Sequence, residues 1–275
     1  MVDEQCLSEW ANAMTIKNFL SLLLLFLAVY SNQLSAAPSA AIVLDANTEE
    51  VLYERNSDYR LHPAGLTKLI TLYATYSALS DVTLSFDDNI KISLKSADEP
   101  PVTLGLRAGS EIELRYLVRA VAVLGANDAA TAIAEALDVS VLAFLERLEK
   151  HSSELGLSKS TWKNAHGLTQ IGHFSTAHDI AVLFAKHRSD FRPYFNMFGR
   201  LSTSVGKANV ASSARRLLQE IDGIEAAKFG YTRAAGFAAA VSVSQPDRDR
   251  IVVMIGASTT ADLVREINDL INNVN

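Results

Sequence analysis

The sequence predicts an α/β domain of the α+β sandwich type, and three observations carry that expectation. Short strand-like runs stand at both ends, residues 41–44 and 51–53 near the start and 237–243 and 251–255 near the finish. Between them, apolar residues recur at helical spacing. The composition, 49% hydrophobic and 20% charged over 275 residues, suits a chain that buries a sizeable core. Strands at the ends with helices between them predict a sheet closed by the two termini.

The opening runs are separated by Asp45, Ala46, Asn47 and Thr48, and read as a β-hairpin. Pro63 stands at a first-turn position ahead of Leu66, Leu69, Ile70 and Tyr73, the spacing of an amphipathic helix to about Leu79. Gly65 and Lys68 share another face of its first turns. A polar stretch containing prolines, 80–109, leads to a helix marked by Leu114, Leu117, Val118 and Val121 and halted at Gly125. Asn127 and Asp128 open an alanine-rich helix to Leu137, and Val141, Phe144, Leu145 and Leu148 continue the helical block. Residues 156–179, rich in Gly, Ser, Thr and His, read as a structured loop ending in a further helix. The closing strands are joined by a polar turn from Gln245 to Asp249, and residues 262–272 read as a terminal helix.

The only long apolar run, Phe19 to Tyr30, has a basic Lys17 before it and Ser35, Ala36 and Ala37 after it. Its twelve residues are too few for a hydrocarbon core of roughly 30 Å, so residues 1–37 read as a secretory signal peptide. Residues 1–13 carry Asp3, Glu4 and Glu9 and no base, so translation from Met14 is expected; a long atypical leader is the other reading. Cys6, the one cysteine, falls in the leader, which leaves residues 38–275 without a disulfide, a thiol nucleophile or a cysteine-based metal site. The formal net charge of −6 offers no reason to sit on phosphate backbones or anionic lipid, which argues against a nucleic-acid partner.

Three segments carry chemistry together: Pro63-Ala64-Gly65-Leu66-Thr67-Lys68, Leu124-Gly125-Ala126-Asn127-Asp128, and Ala227-Lys228-Phe229-Gly230-Tyr231-Thr232. In this order and spacing they resemble the S-x-x-K, S-x-N and K-T-G motifs of the penicillin-binding serine D-alanyl-D-alanine carboxypeptidases. The resemblance takes in AIVLDANTEEVLYERN, LGANDAATAIAEAL, NAHGL and STAHDIAVL, and covers essentially residues 38–275. It implies a penicillin-binding transpeptidase or β-lactamase-like fold, an antiparallel sheet with helices on both faces, and a periplasmic protein acting on peptidoglycan stem peptides. Many relatives add a β-rich second domain and an amphipathic C-terminal anchor; a single domain over 38–275, with no membrane anchor once the leader is cleaved, is the expectation here.

The departures from the motifs matter most. The resemblance assigns the first position to a serine nucleophile three residues before a lysine base; here Gly65 stands there and Lys68 follows. Gly125 stands where the second motif has a hydroxyl, while Asn127 keeps the amide. Lys228 and Gly230 keep the third motif, but Phe229 replaces its threonine. Losing the nucleophile of such a unit typically reduces rate by about 10⁶. The expectation is a pseudoenzyme that binds peptidoglycan stem peptides or a cell-wall protein without cleaving. The alternatives are a residual or rewired D-Ala-D-Ala hydrolase, and an interaction protein that does not use the cleft.

No other residue near Lys68 makes a convincing stand-in nucleophile. Thr67 is about 100° round the helix from Lys68, and Thr71 lies on the wrong side of it. Ser204 to Lys207 is a literal S-x-x-K, yet Thr203, Val205 and Gly206 indicate extended chain. Lys68 and Lys228 would converge with no evident carboxylate between them, which predicts depressed pKa values or a bound anion, or else amines that reach water or backbone carbonyls. Phe229 either fills the carboxylate subsite or packs on the sheet. His166, His173 and His178 lack metal-site spacing, Asp179 reads as a helix-start residue, and no phosphate loop, dinucleotide fingerprint or other cofactor motif is present.

Overall fold

The computed structural model describes residues 39–246 and 248–274. The signal-peptide reading of residues 1–37 lies outside them.

Five antiparallel strands form the main sheet: β1 (Ala40–Asp45), β2 (Val51–Arg55), β7 (Ile224–Thr232), β8 (Gly236–Val243) and β9 (Arg250–Ala257), in the order β2-β1-β9-β8-β7. The first and last strands are direct neighbours, Ala40 opposite Ile255 and Asp45 opposite Arg250, so the termini do close the sheet. β1 is buried at all six positions, as a strand covered on both faces must be. Ile42 and Leu44 join one core with the long helices, while Ala41 and Val43 join a second core on the other face. In the hairpin turn, Asp45 Oδ1 accepts the Asn47 and Thr48 N–H groups, each at 2.8 Å, which fixes the reversal.

One face carries α1 (Thr67–Ser80), α4 (Asn127–Leu137), α5 (Val141–Glu154) and α6 (Ala177–Asp190). Helix α1 is buried almost all round, so its threonines must find partners: Thr71 donates to Ala165 O at 2.8 Å and Thr75 to Thr71 O at 2.7 Å. Helices α5 and α6 begin at Ser140 and Thr176, whose side chains accept from the Ala143 and Asp179 N–H groups. The other face is covered by α8 (Arg215–Glu220) and α9 (Thr260–Asn273), the latter burying Leu263, Val264, Ile267, Leu270 and Ile271 as a single stripe. Short helical turns α2 (Leu94–Ala97) and α7 (Arg192–Phe195) complete the set with α3 (Leu114–Arg119), which widens into a π-helical segment, Ala120–Leu124, before Gly125.

Helices α1, α3, α4, α5, α6 and α9 and strands β1, β2, β8 and β9 stand where the sequence pattern predicts them, whereas β7, the ribbon of β3 (Asn89–Lys91) with β4 (Glu111–Glu113), and α8 carry no such pattern. The stretch from Thr203 to Gly206, read as extended, falls in a hairpin of β5 (Ser202–Val205) and β6 (Ala208–Ala211) turned at Gly206 and Lys207. Among the described residues no helix is long and apolar enough to cross a membrane.

Candidate active site

Gly65 lies in a 3₁₀ turn, Ala64–Leu66, that leads into α1 and is wedged between β7 and the 165–168 segment. The wedge is too tight for side chains on either flank. A Cβ on Gly230 would stand 2.3 Å from the Gly65 nitrogen, and one on Gly167 would fall 1.7 Å from Ala64 O. At Gly65 itself a Cβ would meet Phe229 O at 3.0 Å and Gly230 Cα at 3.1 Å, a contact that a small shift of β7 relieves. Ala64 is held at φ +48°, a left-handed conformation that costs a non-glycine residue of order 1 kcal/mol or more.

One turn into α1, Lys68 is 3% exposed and its Nζ donates to Asn127 Oδ1 at 2.7 Å and to His166 O at 2.6 Å. Burial pushes its pKa down to about 7; the negative charges of Glu99 and Asp128 oppose the shift. No carboxylate is found between Lys68 and Lys228 among the described residues, but two act on Lys68 itself, and Glu99 is one that the motifs do not mark. Glu99 comes from the polar 80–109 stretch, where no periodicity marks it. Its Oε1 accepts from Thr131 at 2.7 Å and its Oε2 lies 3.3 Å from His166 Nε2.

Asn127 and Asp128 sit at the start of α4 and lace the 100–106 segment across the cleft. Asn127 Nδ2 donates to Pro100 O at 2.8 Å and its backbone N–H to Val102 O at 2.7 Å. Asp128, fully buried, accepts from the Leu104, Gly105 and Leu106 N–H groups at 2.9, 2.9 and 3.1 Å. Gly125 precedes them at φ +81°, the left-handed end of the π-helical segment.

On β7, Lys228 and Phe229 point to opposite faces. Lys228 is 1% exposed, and its Nζ donates to Val121 O and, at 3.1 Å, to Ala122 O. Burial, with the charge of Lys68 second, holds its pKa well below the ordinary lysine value. Of the outcomes considered for the two amines, both lowered pKa values and capture by backbone carbonyls are therefore present. The Phe229 ring is half-buried against the second core, 6.2 Å from the Phe237 ring, and packs on the sheet; its carbonyl is what faces Gly65.

Gly65, Lys68, Gly125, Asn127, Phe229 and Gly230 line one cavity of about 240 Å³, together with Ser213, which sequence reasoning missed. Lys228 lies directly behind its wall. A larger cavity of about 730 Å³, lined by Lys95, Glu99, Phe144 and His166 among others, adjoins it across the Ala165–His166 segment.

The remaining candidates are tied into structure. Thr67 Oγ1 accepts from His173 Nε2 at 2.8 Å, and the His173 Nδ1 accepts from Lys163 N, which sets the tautomer. His166 Nδ1 accepts from Leu168 N, so its Nε2 carries the proton toward Glu99; burial, then the Lys68 charge, pushes its pKa down to about 3 and keeps the ring neutral. His178 is paired with Asp179 at 3.8 Å. Asp179, in the first turn of α6, accepts from Lys159 N and Ser160 Oγ, in keeping with its helix-start reading. Ser204 lies on a strand whose next residues turn at Gly206, so it and Lys207 do not share a helical face.

The model of the D-alanyl-D-alanine carboxypeptidase family matches residues 28–259. The chain belongs to that family. It is 28% identical over 246 residues to the D-alanyl-D-alanine carboxypeptidase DacF of Bacillus subtilis, covering 88% of this chain and 63% of that one. It is 29% identical to DacC of Escherichia coli, covering 84% and 60% respectively. The chain thus spans a little over half the length of these curated relatives. Penicillin-binding protein D2 of Listeria monocytogenes, solved in its cefotaxime-bound form, superposes with a TM-score of 0.77 at 27% identity over 85% of this chain and 95% of that one. The carboxypeptidase DacD of Francisella tularensis shares the fold with a TM-score of 0.80 at 24% identity, over 87% of this chain and 70% of that one. A penicillin-binding, β-lactamase-like fold is the architecture that these family members share with the chain.

Proposed function

We propose that this member of the carboxypeptidase family binds D-Ala-D-Ala-terminated peptidoglycan stem peptides, or a cell-wall protein that mimics them, without cleaving them. The observation that carries the reading is the state of the cleft. Lys68, Asn127 and the backbone of β7 keep an ordered, hydrogen-bonded arrangement around a cavity, while Gly65 presents no atom that could be acylated. In this reading Gly65 is the vacant nucleophile position, Lys68 the base position, Gly125 and Asn127 the second motif, and Lys228, Phe229 and Gly230 the binding strand. The role of Phe229 is carried by its backbone, since its ring lies on the far face.

We place its action in the periplasm, after export by a leader that ends near Ala37, with translation from Met14. The leader's apolar run and small-residue exit support export.

A second reading, residual hydrolysis, draws on one observation: an amine with a pKa of about 7 is poised to act as a base at neutral pH. Titrating a diacetyl-Lys-D-Ala-D-Ala peptide against the protein and its Lys68→Ala variant, altered at a residue that lines the cavity, separates the readings. Saturable binding, weakened in the variant, with no release of D-alanine is expected. Release above background would favour the hydrolase, and equal affinities would take the cleft out of the account and leave an interaction surface elsewhere.

A further inference from the structure

Gly125 ends the π-helical segment in a left-handed conformation, φ +81°, which L side chains rarely adopt. A Cβ built there would nevertheless find room, and its neighbours are informative. It would stand 3.4 Å from Ser213 Oγ, 3.9 Å from Ser213 Cβ and 3.9 Å from Lys228 Nζ. A hydroxyl on residue 125 would therefore reach into the corner of the cleft that the Ser213 hydroxyl occupies.

Ser213 is bound to the segment that Gly125 terminates. Its N–H donates to Val123 O at 3.0 Å and its Oγ to the same oxygen at 3.3 Å. Its neighbours Ser212 and Ala214 are buried, and the Ser212 hydroxyl is occupied by the Ala214 N–H at 3.1 Å. Ser213 is half-buried and lines the cavity with Lys68 and Asn127. Its own hydrogen bond is long, so a ligand with a better acceptor can redirect the hydroxyl at small cost.

We propose that Ser213 is a ligand-contacting residue of this cleft, supplying from the 212–214 turn the hydroxyl that Gly125 does not carry. The inference rests on the binding reading above and names one of its contacts. It also has a chemical corollary. When Gly65→Ser restores an attacking hydroxyl, the lactam carbonyl carbon of penicillin gains a C–O bond and its C–N bond breaks. The attacking hydroxyl gives its proton to the Lys68 amine; the Lys68 ammonium then returns that proton through the Ser213 hydroxyl, which passes one on to the lactam nitrogen as it takes one up, so Lys68 ends neutral and Ser213 ends protonated. Protons and charge balance without any further reagent.

The test uses the full protein, its Ser213→Ala and Ser213→Thr variants, and a diacetyl-Lys-D-Ala-D-Ala peptide followed by calorimetric titration. One lost neutral hydrogen bond predicts about fivefold weaker binding for Ser213→Ala, with Ser213→Thr restoring it and the thermal midpoint of Ser213→Ala lowered by no more than about 4 °C for the lost bond to Val123 O. In a Gly65→Ser background, Ser213→Ala is expected to slow acylation by a fluorescent penicillin about a hundredfold or more, the range of an assisted proton transfer. If Ser213→Ala binds as tightly as the unaltered chain, the assignment is wrong while the binding reading stands. If the unaltered chain itself does not bind the peptide, the reading falls and takes the assignment with it.

Discussion

Gly230 and Gly65 are packed back to back: a Cβ on the strand residue would stand 2.3 Å from the nitrogen and 2.8 Å from the Cα of the turn residue. The edge of β7 thereby lies directly on the turn that opens α1, and the cleft is framed by backbone. Gly230→Ala must push the strand away, and the expected cost is about 3 kcal/mol, the upper end for overpacking. Gly105→Ala is the control, because nothing lies within 4 Å of a Cβ there and only the strain of φ +81° remains, about 1 kcal/mol. Urea unfolding of the two variants measures the difference.

Asp128 holds three consecutive backbone N–H groups of the 104–106 segment. Asp128→Asn keeps the shape but loses the charge and one acceptor oxygen, so it should destabilise by about 2 kcal/mol. Amide hydrogen exchange should report the loss at Leu104, Gly105 and Leu106 first.

The pKa of Lys68, about 7, is set by burial against the pull of two carboxylates. Glu99→Gln and Asp128→Asn each remove a negative charge that favours the ammonium, so each should move the titration midpoint further down. The Cε shift of ¹³C-labelled lysine followed against pH reads this directly. An unchanged midpoint in both variants would mean that neither carboxylate acts on the amine.

Stability should depend on pH in two windows. His166, His173 and His187 have pKa values lowered to about 3, 4 and 4 by burial, so between 6.5 and 4 the unfolded chain binds protons that the folded one refuses. Stability therefore falls as pH drops through that range, by about 3 kcal/mol for His187 alone. From about 7 toward 10.5 the unfolded chain keeps the Lys68 proton that the folded chain has released, so stability rises with pH there. Urea midpoints at pH 4.5, 7 and 9 should increase in that order; pH 9 stays below the range where the upward-shifted Tyr73 and Tyr76 would reverse the trend.

Much of this fold was legible because its determinants are local. The spacing of Leu66, Leu69, Ile70 and Tyr73 marks α1, and the alanine-rich run after Asn127 marks α4. Strand β7 was not, because Glu225, Lys228 and Gly230 interrupt its apolar pattern, and the burial of Lys228 depends on carbonyls more than a hundred residues away. The motif order located Gly65, Lys68, Gly125, Asn127 and Lys228, and all but Lys228 line a single cavity. Glu99 and Ser213 left no trace in the pattern, since a lone acid in a polar stretch and a serine after another serine look like ordinary surface. Only the folded chain brings them to the lysines. For Phe229 the alternation of the strand decides: with Lys228 turned inward, its neighbour must face the other core.

The central claim is a cleft kept in order around an absent nucleophile. Intact-mass spectrometry of the purified chain after incubation with penicillin, alongside its Gly65→Ser variant, tests it most directly. The account predicts no adduct on the unaltered chain and a single penicilloyl addition on the variant. An adduct on the unaltered chain would show that another residue attacks, and would contradict it.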